Sequence, residues 1–176
     1  MSLSLYDVSI PVYIRMLGNL AHFLDKADAH AQEAGVDLST YAEANLGHGM
    51  FNLARQIQLA SDAAKGGAAR LASIEAPAMP DEEKTFPELV VRIQKTIAFL
   101  EGVKRDQVDG RENAEIVLKL PSRSMEFTGL SFLTTFSLPN FLFHVTTAYA
   151  ILRNQGVPLG KMDFLAGAAT AQAQAA

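Results

Sequence analysis

Apolar residues return every three or four positions over long stretches of this chain. Tyr13, Met16, Leu17, Leu20, Phe23, Leu24 and Ala27 follow that spacing and predict an amphipathic helix over roughly 6–34, with Pro11 tolerable only near its first turn. Gly35 follows as a helix stop, and Asp37 to Leu46 has room for a short helical turn. After the Gly47-His48-Gly49 break, Leu53, Ile57, Ala60, Ala64 and Leu71 predict a second helix from Met50 to about Ser73. Gly66-Gly67 interrupts it, either as a soft point or as a place where another helix comes close. The charged, proline-bearing stretch 75–84 reads as an exposed loop. Thr85-Phe86-Pro87-Glu88 has the form of a capping box and opens a third helix carrying Leu89, Val90, Ile93, Ile97 and Leu100. The period then changes to two: Ile116, Leu118 and Leu120, then Met125 and Phe127, alternate with polar neighbours around Pro121-Ser122-Arg123 and predict a β-hairpin over 115–128. Two strands alone are marginal in water, so the hairpin must pack on something. Gly129 to Asn154 predicts a fourth helix, the most apolar of all, kinked at Pro139 and ended by Gly156 and Pro158. The Ala/Gln-rich residues 166–176 predict a disordered or frayed tail. The expected architecture is all-α: a four-helix bundle over 1–165 with a short β-hairpin inserted before the last helix.

Composition narrows the function classes. The 176 residues contain no cysteine, which removes disulfides, thiolate metal sites and cysteine nucleophiles. Nineteen acidic against fifteen basic residues leave a net charge of −4, which speaks against nucleic acid as a partner, since phosphate binding needs a concentrated basic face. The apolar share of 49% is spread periodically, with no run long enough to span a membrane, and Met1 to Tyr6 shows no secretory pattern. A cytoplasmic protein is expected.

Candidate chemistry concentrates in the last helix. No two of the four histidines stand at i, i+3 or i, i+4, so the two-histidine helical metal signature is missing. His22 and His30 sit among charged neighbours and read as surface residues. His144 lies in Phe141-Leu142-Phe143-His144-Val145, and Ser137, Asn140, His144 and Thr147 form a polar stripe on its helix. Two readings stay open there: a core histidine satisfied by its neighbours, or a metal ligand or general base in a cavity. Gln56 on the second helix is placed to face the same interior, with Tyr13 or Tyr149 as further lining residues. Arg55 and Asp62 read as a solvated pair, and Asp81-Glu82-Glu83 as a solvated acidic loop. No catalytic triad or phosphate-binding loop is present.

Three stretches, MSLSLYDVSIPVYIRML (1–17), MFNLARQIQLASDAAKGGAARLA (50–72) and LPNFLFHVTTAYAILRNQGVPLGKMDFL (138–165), resemble an uncharacterised bacterial family of DUF type, grouped with the DinB/YfiT-like metalloenzyme superfamily. The resemblance covers nearly the whole chain in order. It implies a four-helix bundle, frequently dimeric, with a central three-histidine site for a divalent metal such as zinc or nickel; some members are thiol-dependent transferases or isomerases. The final-helix motif of that superfamily is His-x-x-x-His before a Gly-Val-Pro turn. His144 to Arg153 and Gly156-Val157-Pro158 match its downstream half, so His144 corresponds to the second histidine, the first falls at Asn140, and the helix-two ligand falls near Gln56.

The chain therefore departs from the triad at two of three positions. Neutral amides are poor ligands for zinc or nickel. No cofactor is expected, and if any metal bound, His144 would hold it, with His48 as a weaker extra ligand. The expected function is that of a homodimer of unknown activity whose polar pocket (His144, Gln56, Asn140, Thr147, Tyr13) has lost its metal site and takes a small molecule. The alternative is a small-molecule transferase or isomerase, thiol-dependent in some relatives, using His144 as acid/base or as metal ligand.

Overall fold

The computed structural model describes residues 3–120 and 123–174, and the fold is mostly helical with one small antiparallel hairpin. Helix α1 runs Ile10–Ala34, starting four residues later than the periodicity suggests. The reason is Pro11, which has no N–H and fits the first helical turn, where that donor has no partner in any case. Gly35, left-handed at φ 65°, closes the helix by returning its N–H to the Ala31 carbonyl. Asp37 caps the short α2, Leu38–Glu43. Asn52 caps α3, Leu53–Ala72, through a 3.0 Å bond from Arg55 N to its side-chain oxygen, so the helix begins at Leu53 rather than Met50. Helix α4 spans Phe86–Glu101, and Glu88 reaches back 2.9 Å to the Thr85 N–H. The single turn α5, Arg105–Val108, has too few residues to leave a periodic signature.

Strands β1, Glu115–Leu120, and β2, Arg123–Thr128, pair antiparallel with Glu115 opposite Thr128 and Leu118 opposite Met125. Arg123 thus belongs to the second strand; Pro121 and Ser122 of the expected turn lie outside the described residues. The hairpin buries Ile116 and Leu118 on one face, and Phe127 packs on Phe132 and Phe136, with ring centroids 5.7 and 5.9 Å away. That aromatic cluster is what the two strands pack on.

The fourth predicted helix is not one α-helix. It comprises α6, Gly129–Phe132, a π-turn, Leu133–Ser137, and α7, Leu138–Asn154. Pro139 cannot donate to the ladder, and the wider turn immediately before it, closed by the Leu138 N–H on the Leu133 carbonyl, takes up the mismatch. Leu138 keeps helical dihedrals (φ −68°, ψ −45°), so the three pieces form one continuous run. Beyond Pro158 the chain forms α8, Lys161–Gln174, so residues 166–174 of the expected disordered tail continue this helix, and 175–176 lie outside the described residues.

Helix α3 packs along α7, and α1 touches α4, α7 and α8. Leu20, Leu24, Ile57, Leu71, Ile93, Phe141 and Val145 are fully buried in one continuous core. Among the described residues, no helix is long and apolar enough to cross a membrane.

Candidate functional site

The seam between α3 and α7 carries most of the polar residues named from sequence. Near one end, His144 Nδ1 lies 2.8 Å from the Gln56 side-chain oxygen Oε1. Gln56 is buried, at 1% exposure, and its Nε2 donates 3.3 Å to the Phe51 carbonyl. A carbonyl only accepts, so this bond fixes the orientation of the amide: Nε2 faces Phe51 and Oε1 faces the imidazole. Oε1 in turn only accepts, so His144 must carry its proton on Nδ1. The neutral ring then keeps its lone pair on Nε2, for which the described residues supply no partner. Desolvation pulls the His144 pKa below its usual value, and the Arg55 guanidinium adds to the effect. Phe143 stands edge-on to the ring at 5.3 Å, and Arg55 lies 5.8 Å over the Phe51 ring. Phe51 and Phe143 are both more than half exposed and flank the mouth of this pair.

Asn140 lies one turn from His144 on α7 but reaches a separate cleft of about 190 Å³, whose walls include Ala63, Arg70 and Ser137. Tyr13 does not join His144 either. It is fully buried, shares a 2.8 Å hydrogen bond with Ser137, and meets the edge of Phe141 at 5.1 Å. Burial pushes its phenol above the usual range despite the Ser137 bond. Thr147 is buried and donates 2.7 Å to the Phe143 carbonyl of its own helix. Tyr149 packs between Phe23 and Phe164. His48 is exposed in the Gly47-His48-Gly49 loop, itself at φ 52°. Of the expected pocket residues, the fold thus joins Gln56 to His144 and distributes Asn140, Tyr13 and Thr147 elsewhere along the seam.

The donor set does not fit a divalent metal. Both polar atoms of Gln56 are committed, Asn140 faces another space, and among the described residues no group of three His, Asp or Glu side chains is arranged to hold a metal ion.

Several polar residues act differently from their surface reading. His22 is largely covered and bonds Asp163 at 2.9 Å, and His30 bonds the Tyr41 hydroxyl at 2.8 Å. Arg55 and Asp62 do not pair with each other: Arg55 takes Asp81, and Asp62 takes Lys65 and Arg92. Arg92 is the residue that pattern reasoning missed altogether. Its side chain is 1% exposed and is clasped by Asp62, Asp81 and Glu83 at 2.9–3.0 Å, so the acidic loop is an ionic strap across α3 and α4. A groove of about 720 Å³ runs along that strap past Met79, Val91, Lys95 and Phe99, and none of the candidate residues lines it. The stretch 77–99, which lines it, holds no histidine to point there.

A family model described as "Domain of unknown function (DUF1993)" matches residues 5–165. The chain is also similar to a crystal structure described as a DinB family member protein from Shewanella denitrificans, with 39% identity over 92% of this chain and 91% of that one and a TM-score of 0.85. No curated protein matches.

Proposed function

Because the chain belongs to the DUF1993 family and shares its fold with a DinB family member, we propose that it is a DinB-type four-helix bundle whose metal centre has been replaced by a single proton-accepting histidine that serves a small-molecule ligand. The observation that carries this reading is the Phe51–Gln56–His144 hydrogen-bond chain. It holds the ring in one tautomer and leaves Nε2 as a base. A lowered pKa keeps that base unprotonated at neutral pH. In this role Gln56 positions the imidazole rather than replacing a metal ligand. His144 takes a proton from an O–H or S–H of the small molecule, and the nearby Arg55 charge favours the anion that results. The chemistry is that of a general base, the same in an acid/base enzyme and in a site that binds a weakly acidic donor.

Nitrogen-15 spectra of the histidine ring test this directly. The expected result is an Nδ1-protonated, Nε2-unprotonated His144 at pH 7, with metal content of untagged protein well below one equivalent. An Nε2-protonated ring, or a near-stoichiometric zinc or nickel lost in His144→Ala, would overturn it. We infer in addition that the protein is a homodimer. Leu130 and Phe143, on the run that includes α7, are 48% and 54% exposed, and an apolar surface of that kind favours a covering partner. Light scattering is expected to give twice the 19.0 kDa chain mass, and a 19.0 kDa species at micromolar concentration would refute the dimer.

A further inference from the structure

We propose that the cleft between α3 and the π-turn is a binding site for a small aromatic carboxylate, held by Arg70 and Asn140 against the Phe132–Phe136 wall. The site is distinct from the Gln56–His144 pair. Its space is about 190 Å³, roughly six waters' worth at about 30 Å³ each, which suits one small ring and its acid group.

Three features give the cleft its preference. The first is charge. Arg70 is exposed and bends back along its own helix to the Gly66 carbonyl at 2.8 Å, and among the described residues no carboxylate pairs with it. The one acidic side chain on the cleft wall, Asp62, is already held by Arg92 at 2.9 Å and Lys65 at 3.0 Å, so the net field at the opening is that of Arg70. A guanidinium with a single backbone acceptor retains donors for a carboxylate. The second is the Asn140 amide, half-buried on the opposite wall, which makes no hydrogen bond among the described residues. Its NH₂ supplies the complementary donors. The third is the apolar wall: half-buried Phe136, backed by the fully buried Phe132 stacked on it at 6.0 Å and 21°, lines the cleft with aromatic surface for a planar ring. Gly67 and Ser137, both on the cleft wall, lie so close that a Cβ on Gly67 would stand 2.3 Å from the Ser137 hydroxyl.

Sodium benzoate is the probe, followed by amide proton–nitrogen correlation spectra of the full chain. Expected are saturable shifts confined to α3, the π-turn and the adjoining ends of α6 and α7, with Arg70→Gln weakening binding at least about tenfold, the loss of a charge-assisted bond. Ala63→Phe, which fills the cleft, is expected to abolish the shifts while circular dichroism stays unchanged. Neutral benzamide is expected to bind at least about tenfold more weakly than benzoate. Absence of saturable shifts with millimolar benzoate, full affinity in Arg70→Gln, or equal binding of benzamide would each overturn the proposal.

Discussion

At the scale of single residues, the sequence put His144 and Gln56 forward as neighbours in one interior but could not say how they meet. The i, i+4 polar stripe was legible because a helix of known period carries it; that Gln56 meets the imidazole, and Asn140 does not, follows from how two helices lie against each other. The division has a measurable consequence. Arg55 lowers the His144 pKa, so Arg55→Gln is expected to raise it. Gln56→Glu, which sets a carboxylate where the amide oxygen accepts the ring proton, is expected to raise it further. Histidine titration by proton resonance checks both, and an unchanged or lowered pKa in either variant contradicts the assigned contact. Tyr13 illustrates the limit of residue-level reading: its apolar spacing said it was buried, and its hydroxyl partner, Ser137, lies 124 residues away.

At the scale of elements, the glycine pair in α3 separates two physical cases. A Cβ on Gly67 would stand 2.3 Å from Ser137 Oγ and 2.9 Å from the Tyr13 hydroxyl, both fixed in the seam. Gly67→Ala is expected to destabilise by about 1–3 kcal/mol through overpacking. A Cβ on Gly66 meets only the tip of Arg70, at 2.8 Å, which can swing away. Gly66→Ala is expected to be neutral or to stabilise by up to about 1 kcal/mol from helix propensity. Urea midpoints of the two variants should therefore move apart; a shared shift would rule out the close approach. Helix α8 shows a second element-level effect. Arg15, Asn19, His22 and Lys26 recur along α1 with helical spacing and look like a solvated face, yet Arg15 and Asn19 bond the Leu165 and Phe164 carbonyls, and His22 and Lys26 hold Asp163. Asp163 also accepts the Gly160 N–H at 2.7 Å, which starts α8. Asp163→Ala is expected to cost about 1–2 kcal/mol and to speed hydrogen exchange in α8 while leaving α3 protected. Uniform loss of protection across the chain would count against a local docking role.

At the scale of the whole molecule, acid stability reports on these same contacts. Burial acts to raise the Asp163 pKa, but the Gly160 N–H, His22 and Lys26 together hold it below the ordinary carboxylate range. Burial likewise opposes, and Arg55 and Arg92 outweigh, in the lowered pKa of Asp81. A depressed folded pKa means that the unfolded chain takes up protons first, so the stability these carboxylates contribute is present above about pH 4 and lost as pH falls through their folded values. His144 adds a shallower limb of the same sign. Its folded pKa is lowered, so its contribution is present above about pH 6.5 and declines as pH falls below it. Thermal melts across pH 3–8 are expected to show both limbs, and His144→Gln is expected to flatten the upper one alone. A wild-type curve that is flat between pH 5 and 7 would contradict the lowered His144 pKa.

The sequence by itself determined the helical stripes, the hairpin and its alternating faces, the Thr85–Glu88 capping box, and the family, because each is written in spacings of a few residues, whereas the Asn52 cap of α3 was not read from it. Tertiary structure alone decided the π-turn before Pro139, the docking of α8, the Arg92 strap and the partner of His144. These depend on which polar groups of distant segments meet once water is excluded, and a buried donor or acceptor must find whatever partner the packing brings to it. A polar stripe reads the same in one dimension whether it faces solvent, as expected of His22, or another helix, as it does; the difference is made by what packs opposite.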